Sequence, residues 1–384
     1  MSNIYYNLPI TAFALVSFVS IALGNILLGI ATLFFLIFLY QKRTVLTYTE
    51  KRYYIAITCF ICCMLLSALA SGDIGKGMKV WSDLWLWRLL PFFIITLSVR
   101  EINAVKRIFY CSLIGIMFGS LYLIYQGLCG YNRAAGFFGH PMTFAGYFCI
   151  FMPVVLITLL DEQILEKRRW LAGIGLAISS LALLFNGTRG AWLAVLVVLL
   201  IILAYYLLQR NKLAMLCLAV LFICGAALTQ YHPFMKRIHT LTDTKYQSNT
   251  ERILIWNSAW KMFEDHPVLG VGLGQYKDNY QKKYISPKAK EPKLSHAHNN
   301  FMQMLAENGV VGFLGFMQLI VFLIGYSLYH FYKERNPYFM MTSMSTLALV
   351  LQGFTEYNFG NSAVMKSFWL LQGCLLVLAA GRHK

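Results

Sequence analysis

The chain has 384 residues, 58% of them hydrophobic and 13% charged, with a formal net charge of +17. A soluble globular domain averages about 45–50% apolar and about 25% charged residues, so the composition excludes an ordinary soluble enzyme and predicts a polytopic membrane protein. The charge does not point to nucleic acid: no aromatic–basic repeat accompanies it, and many basic residues fall in short segments between apolar runs.

Apolar runs predict twelve transmembrane helices, at residues 8–22, 25–40, 53–69, 84–97, 108–128, 142–160, 170–185, 191–208, 213–229, 310–329, 338–354 and 367–380. Several are shorter than the roughly 20 residues a span needs, so tilted or interface-extended helices are expected. The expected fold is all-α, a polytopic membrane helix bundle of about 12 transmembrane helices with one long periplasmic loop containing short helices. Residues 1–229 hold helices 1–9, residues 230–300 the loop with the catalytic residues, and residues 301–384 helices 10–12.

Charge sets the expected orientation. If twelve spans alternate, Lys42, Arg43, Lys51 and Arg52 share a side with Arg100, Lys106 and Arg107, with Lys167, Arg168 and Arg169, and with Arg210, Lys212, Lys333 and Arg335. Arg382 and Lys384 join them, and the positive-inside rule makes that side cytoplasmic. The N-terminus lacks a basic leader region and an obvious cleavage site, so the first run is expected to be a retained span. The long loop is also lysine-rich from Lys277 to Lys293, but long loops translocate largely regardless of charge. Its basic charge then calls for an anionic partner. The nine cysteines are scattered through apolar segments and none lies in the loop, which argues against a disulfide framework or a cysteine metal site.

Along the chain, the first candidate is Arg88 in Trp85-Leu86-Trp87-Arg88, although interface arginines among tryptophans are common. Arg133, in Arg133-Ala134-Ala135-Gly136, is a weaker one. Asn186-Gly187-Thr188-Arg189-Gly190-Ala191-Trp192 places Arg189 at an outward turn between two apolar spans, where a charge is costly unless paired or functional. Snorkelling to headgroups is the ordinary alternative.

Ser248-Asn249-Thr250-Glu251 reads as a capping box opening a helix that ends near Asp265-His266-Pro267. Ile253, Trp256, Trp260 and Phe263 give that helix an apolar face suited to a bilayer surface. Arg252 then falls in the first turn, where the helix dipole disfavours a cation unless both face an anion. Gly270-Val271-Gly272-Leu273-Gly274 lacks the strand–helix context of a dinucleotide loop and reads as turn-forming sequence near the membrane.

His296-Ala297-His298-Asn299-Asn300 closes the long stretch where helical sequence resumes. A histidine at a helix N-terminus is kept neutral and can act as a general base. His-x-His is also a possible metal pair, but no carboxylate or cysteine at ligand spacing lies nearby in sequence, so no metal and no cofactor are expected.

Taken in order, these segments resemble the O-antigen ligase family. The likeness rests on Thr188-Arg189-Gly190-Ala191-Trp192, then Glu251-Arg252 with Trp256, then His266-Pro267-x-x-Gly270-x-Gly272-x-Gly274, then His298-Asn299, then Glu307-Asn308-Gly309-x-x-Gly312. Arg133-Ala134-Ala135-Gly136 followed by His140-Pro141 looks like the family's outer loop. The resemblance covers nearly the whole chain; each motif alone is weak and the ordered set is specific.

It implies a fold of the GT-C-like kind in a bacterial inner membrane, with the active site facing the periplasm. The implied reaction is an inverting, metal-independent transfer of a glycan from an undecaprenyl-diphosphate carrier to lipid A-core oligosaccharide. By motif, His298, Arg189 and Arg252 correspond to the essential residues; Arg88, Arg133, His296 and Asn299 are candidates for substrate contact. The implied partners are the two lipid-linked substrates and membrane lipid, with no nucleic acid. Within the same superfamily the alternatives are a polysaccharide polymerase and a protein O-oligosaccharyltransferase. A lipid-linked-glycan flippase, from a different class, should carry charge at mid-span, whereas here charge gathers at span ends.

Overall fold

The computed structural model describes residues 4–41, 48–99, 101–131, 133–165, 169–230, 232–240, 243 and 246–381, and every regular element among them is helical. The basic residues Lys42, Arg43, Arg100, Lys167, Arg168, Arg382 and Lys384, part of the orientation argument, lie outside the described residues.

Each expected apolar run falls on a helix. Nine helices among the described residues are long and apolar enough to cross a membrane; Asn7–Val16 and Trp170–Asn186 are apolar but shorter, and Pro337–Gln352 spans 16 residues. Three expectations need correction. The first hairpin turns at residues 17–20, with Gly24 inside the second helix. The run expected at 84–97 begins ten residues earlier, because Asp73 caps a helix by accepting from the Lys76 N–H at 2.9 Å; a π turn at Ser82–Leu86 and a 3-10 turn at Trp87–Leu89 carry it on to Leu90–Ser98. The tenth run is part of a longer helical stretch, Asn300–Glu334.

The centre of the bundle is made by Pro141–Leu160, Pro337–Gln352 and Ser362–Gly381. Pro141–Leu160 is wholly buried and Ser362–Gly381 almost so, hydrophobic on all sides as a helix surrounded by other helices must be. Ile21–Gln41 and Lys212–Thr229 lie at the edge, with most of their apolar surface uncovered by protein. Proline at the first turn and a side-chain N-cap start the inner helices: His140 before Pro141, and Asn336 before Pro337.

The described residues between 232 and 299 form a layer across one end of the bundle. The helix Gln247–Asp265 buries Ile255, Ala259 and Met262 against Tyr276, Tyr280 and Ala297, a second small core beside the membrane core. Ile253 and Trp260, from the apolar face expected for bilayer contact, are exposed on its other side. Trp256 is instead tied inward, its indole donating to the Ala297 carbonyl at 2.9 Å. The helix starts at Gln247, and no capping box forms: Glu251 is buried and accepts from the Lys290 and Glu291 N–H groups, fastening the lysine-rich segment down. Arg252 therefore lies in the second turn, beyond the free N–H groups, and the helix-terminus argument for it fails.

The layer is locked to the bundle by two of the motif stretches. Gly309 interrupts its helix at φ +56°, and the freed backbone groups pair with the segment after Asp265. Val271 N–H donates to the Ala306 carbonyl at 2.9 Å, Gly272 N–H to Glu307 at 3.1 Å, and Val310 N–H to Pro267 at 2.8 Å. A Cβ on Gly270 would come within 2.3 Å of the Glu307 backbone, and one on Gly309 within 2.4 Å of Val268. Both are left-handed residues at a backbone-to-backbone contact, which requires glycine. This gives the Gly270–Gly274 stretch its place as a turn.

Candidate active site

Two groups of residues meet at the end of the bundle under this layer. The first is a histidine–carboxylate pair. Asn299 caps the helix Asn300–Val321, its side-chain oxygen accepting from Phe301 N–H at 2.8 Å and Met302 N–H at 3.1 Å while its amide donates to the Phe354 carbonyl at 3.0 Å. Its side chain is thus committed to structure, and it positions the residue before it. That residue, His298, takes a left-handed conformation (φ +48°) and sets its Nδ1 3.2 Å from Oε2 of Glu356. A carboxylate facing Nδ1 holds the proton there and leaves Nε2 with its lone pair, the state a base needs.

Glu356 is nearly buried. Burial would raise its pKa, but the His298 hydrogen bond and the charges of His298, His296 and Arg252 outweigh it and hold the carboxyl below the usual glutamate range. The ring of His296 lies 4.1 Å from that of His298, and its Nδ1 accepts from the His298 N–H at 3.2 Å. Burial, then the neighbouring His298, push the His296 pKa down to about 4, so it is neutral near pH 7. Asn300 and Asn358 brace the wall behind, amide to carbonyl at 2.7 Å.

These groups open into a cavity of about 470 Å³ whose lining includes His140, Lys277, His296, His298, Glu307 and Glu356. The argument against a metal pair is corrected here. Folding supplies the carboxylate that the local sequence lacks: His296, His298 and Glu356 present ligand atoms within 4.8 Å of one another.

The second group is cationic. Gly187 ends Trp170–Asn186 in a left-handed turn (φ +65°), so that Arg189 opens the next helix. Its guanidinium is buried and donates to Thr240 Oγ1 at 2.7 Å, to the Thr240 carbonyl at 2.5 Å and to Asn249 Oδ1 at 3.0 Å, with the Tyr246 ring 5.1 Å away. Arg237 donates to the Gly187 carbonyl at 3.0 Å, and Arg133 to Thr188 Oγ1 at 3.3 Å. Burial and the like charges of Arg237, Arg252 and Arg189 lower the Arg133 pKa from the guanidinium value. Arg252 is half-buried; burial lowers its pKa and the Glu356 carboxylate opposes that. Four arginines are thus gathered within electrostatic reach of one another, and the Glu356 carboxylate that holds His298 also acts on Arg252. Guanidinium groups gathered in this way have the chemistry to receive an anion.

The structure therefore brings Arg133, Arg189 and Arg252 together and connects them to His296 and His298 through Glu356. The arginines do not line the histidine cavity itself. Arg88 stands apart: it is buried, ion-paired with Asp83 at 2.8 Å, and donates to the Gly360 carbonyl at 2.7 Å, bracing the cavity wall from behind. Sequence reasoning missed Glu356 as the partner of His298, Arg237 as a member of the cluster, and His140 as a lining residue. Glu356 and Arg237 stand 58 and 61 positions from His298, and the only sequence signals were an acid among the outward loops and a basic pair, Lys236-Arg237.

Among curated proteins no match to the chain is found. Residues 174–317 match the family model described as O-antigen ligase, a range that contains Arg189, Arg237, Arg252, His296 and His298. The chain thus carries a region similar to the O-antigen ligase family in the part of the fold that supplies both histidines and three of the four arginines.

Proposed function

We propose that this protein is an inverting glycosyltransferase that moves a glycan from an undecaprenyl-diphosphate carrier to lipid A-core oligosaccharide, at the periplasmic face of a bacterial inner membrane. The observation that carries this reading is the pairing of one carboxylate-held histidine with four arginines at the same end of the bundle.

The chemistry needs both. An acceptor hydroxyl gives its proton to Nε2 of His298 as its oxygen bonds to the anomeric carbon. The bond from that carbon to the diphosphate oxygen breaks on the opposite face of the sugar, and the electron pair leaves with the polyprenyl diphosphate. Glu356 stabilises the imidazolium that forms; a positioned base of this kind contributes typically about 10²–10⁴-fold. Arg189 and Arg252, with Arg133 and Arg237 beside them, take the growing charge of the leaving group by charge-assisted hydrogen bonds. Guanidinium groups do the work a divalent ion does in many soluble transferases, so transfer is expected to continue in excess EDTA.

The test is transfer by the purified protein from a carrier-linked glycan to each of three acceptors: lipid A-core, a second carrier-linked repeat, and a peptide. Product on lipid A-core alone is expected. Product on the second repeat would make the protein a polymerase, product on the peptide a protein glycosyltransferase, and net movement of the carrier across vesicles without transfer a flippase.

A further inference from the structure

The base of the proposed reaction sits inside a set of donors that suits a transition metal. We infer that His296, His298 and Glu356 form a zinc-class metal site, and that its occupation removes His298 from service as a base. Metal binding rests on the geometry alone; the consequence for transfer rests on the reading of His298 above.

The three ligand atoms lie within 4.8 Å of one another, on a cavity wide enough for an ion and its water. Tetrahedral zinc with bonds of about 2.0–2.1 Å sets its donors roughly 3.3–3.5 Å apart. The His298 Nδ1 to Glu356 Oε2 separation of 3.2 Å already meets that spacing. A side-chain adjustment of about 1–1.5 Å brings in the remaining donor. Two imidazoles and one carboxylate are borderline-soft ligands that favour zinc or cobalt over magnesium or calcium, which prefer all-oxygen sites. Three protein ligands leave a fourth position for water, and His140 faces the same cavity.

The effect on catalysis does not depend on which nitrogen of His298 is used. Metal on Nε2 takes the lone pair directly. Metal on Nδ1 displaces the proton that Glu356 holds there, and a neutral ring then carries its proton on Nε2. The arginine cluster opposes a second positive charge nearby, so affinity is expected to fall below that of a structural zinc site. The metal is therefore a reversible inhibitor that competes with the acceptor's proton for one histidine.

The experiment uses the full-length protein in nanodiscs after treatment with a chelator. Cobalt(II) is titrated while the visible absorption of tetrahedral cobalt is recorded, and zinc is then added to displace it. One cobalt per chain is expected, with binding weakened roughly 10–100-fold or more in Glu356→Gln and in His296→Ala and unchanged in His239→Ala. Zinc should stop glycan transfer at the concentration that displaces cobalt, EDTA should restore it, and magnesium should have no effect. Absence of a saturable tetrahedral spectrum in the wild-type protein overturns the site, and so does equal affinity in the Glu356 and His296 variants. Cobalt bound without loss of transfer overturns the claim that the metal takes His298. If His298 is not the base, His298→Ala retains transfer, a result independent of the cobalt spectrum.

Discussion

The two walls of the candidate site are built by different means. The histidine wall is rigid: Asn299 caps the helix that carries it, Asn300 and Asn358 are hydrogen-bonded behind it, and Glu356 fixes the ring of His298. The arginine wall hangs on a loop, one helix start, the second turn of Gln247–Asp265 and a short helix, and the guanidinium groups of Arg189 and Arg237 donate to carbonyls and side-chain oxygens such as those of Thr240, Asn249 and Gly187. The difference follows from what each has to do. Proton transfer needs an atom placed within a few tenths of an ångström. Charge neutralisation falls off slowly with distance, and in the proposed reaction a lipid-linked diphosphate has to enter and leave. The lesson is that damage to the first wall should appear in the chemical step, and damage to the second in donor binding.

The strongest way to break this comparison is His298→Ala. Transfer should fall about 10²–10⁴-fold, with donor binding nearly intact when measured by titration with carrier-linked glycan. A parallel loss of donor binding would dissolve the division between the walls. Glu356→Gln keeps the shape and loses the charge, and should lower kcat by roughly 10²-fold, the lower end of the same range. His296→Ala, whose ring abuts His298 and accepts its backbone N–H but does not touch the His298 ring nitrogens, should cost less than either.

On the other wall, Arg189→Lys and Arg252→Lys keep the charge and lose the planar fork. Each should weaken donor binding by about tenfold, one to two kcal/mol, with turnover reduced as well. Arg237→Ala should weaken donor binding by a smaller factor. Because these contacts are electrostatic, the wild-type donor affinity should decline as salt is raised, and less so in the variants.

The smallest effect sharpens the contrast from outside the site. Asp265 accepts from Lys283 at 2.8 Å and from the Tyr284 hydroxyl at 2.6 Å, and these bonds hold its pKa below the usual aspartate value. Its contribution to stability is present above the unfolded-state value and is lost as pH falls through the depressed folded value. In Asp265→Asn that part of the acid dependence of Tm should disappear while transfer is unchanged. The pair is exposed, so the shift should be small.

How much of this was legible depended on whether the signal was local. Each expected apolar run fell on a helix, because a lipid-facing or fully buried helix is written in consecutive residues, although the start of Ile74–Ser98 was missed. Arg189 and His298 stood out as polar groups beside helix starts. The helix carrying Arg252 was recognised, but Ser248–Glu251 mimicked a cap whose glutamate is used instead to hold Lys290 and Glu291. Glu356 was invisible as a partner because its meaning lies in a contact across 58 residues. The buried face of Gln247–Asp265 went unread for a similar reason: Ile253 and Trp260 are exposed, as a surface-facing side should be, but Ile255, Ala259 and Met262 are no more apolar than they are, and only the packed layer marks them as core.

The edge helix Lys212–Thr229 has a consequence of its own. Only 6% of it is buried by protein, so its depth and slant are set by lipid rather than by neighbouring side chains. At about 1.5 Å per residue its 18 residues reach roughly 27 Å, a little less than the typical hydrocarbon core. The short helix His232–His239, which carries Arg237, follows close behind it. A bilayer thicker or thinner than that length is expected to be met by tilt of this helix or by local deformation of the lipid, next to the short helix that carries Arg237. On the proposed reading of Arg237, donor binding is then expected to respond to the acyl length of the surrounding lipid with no change of sequence.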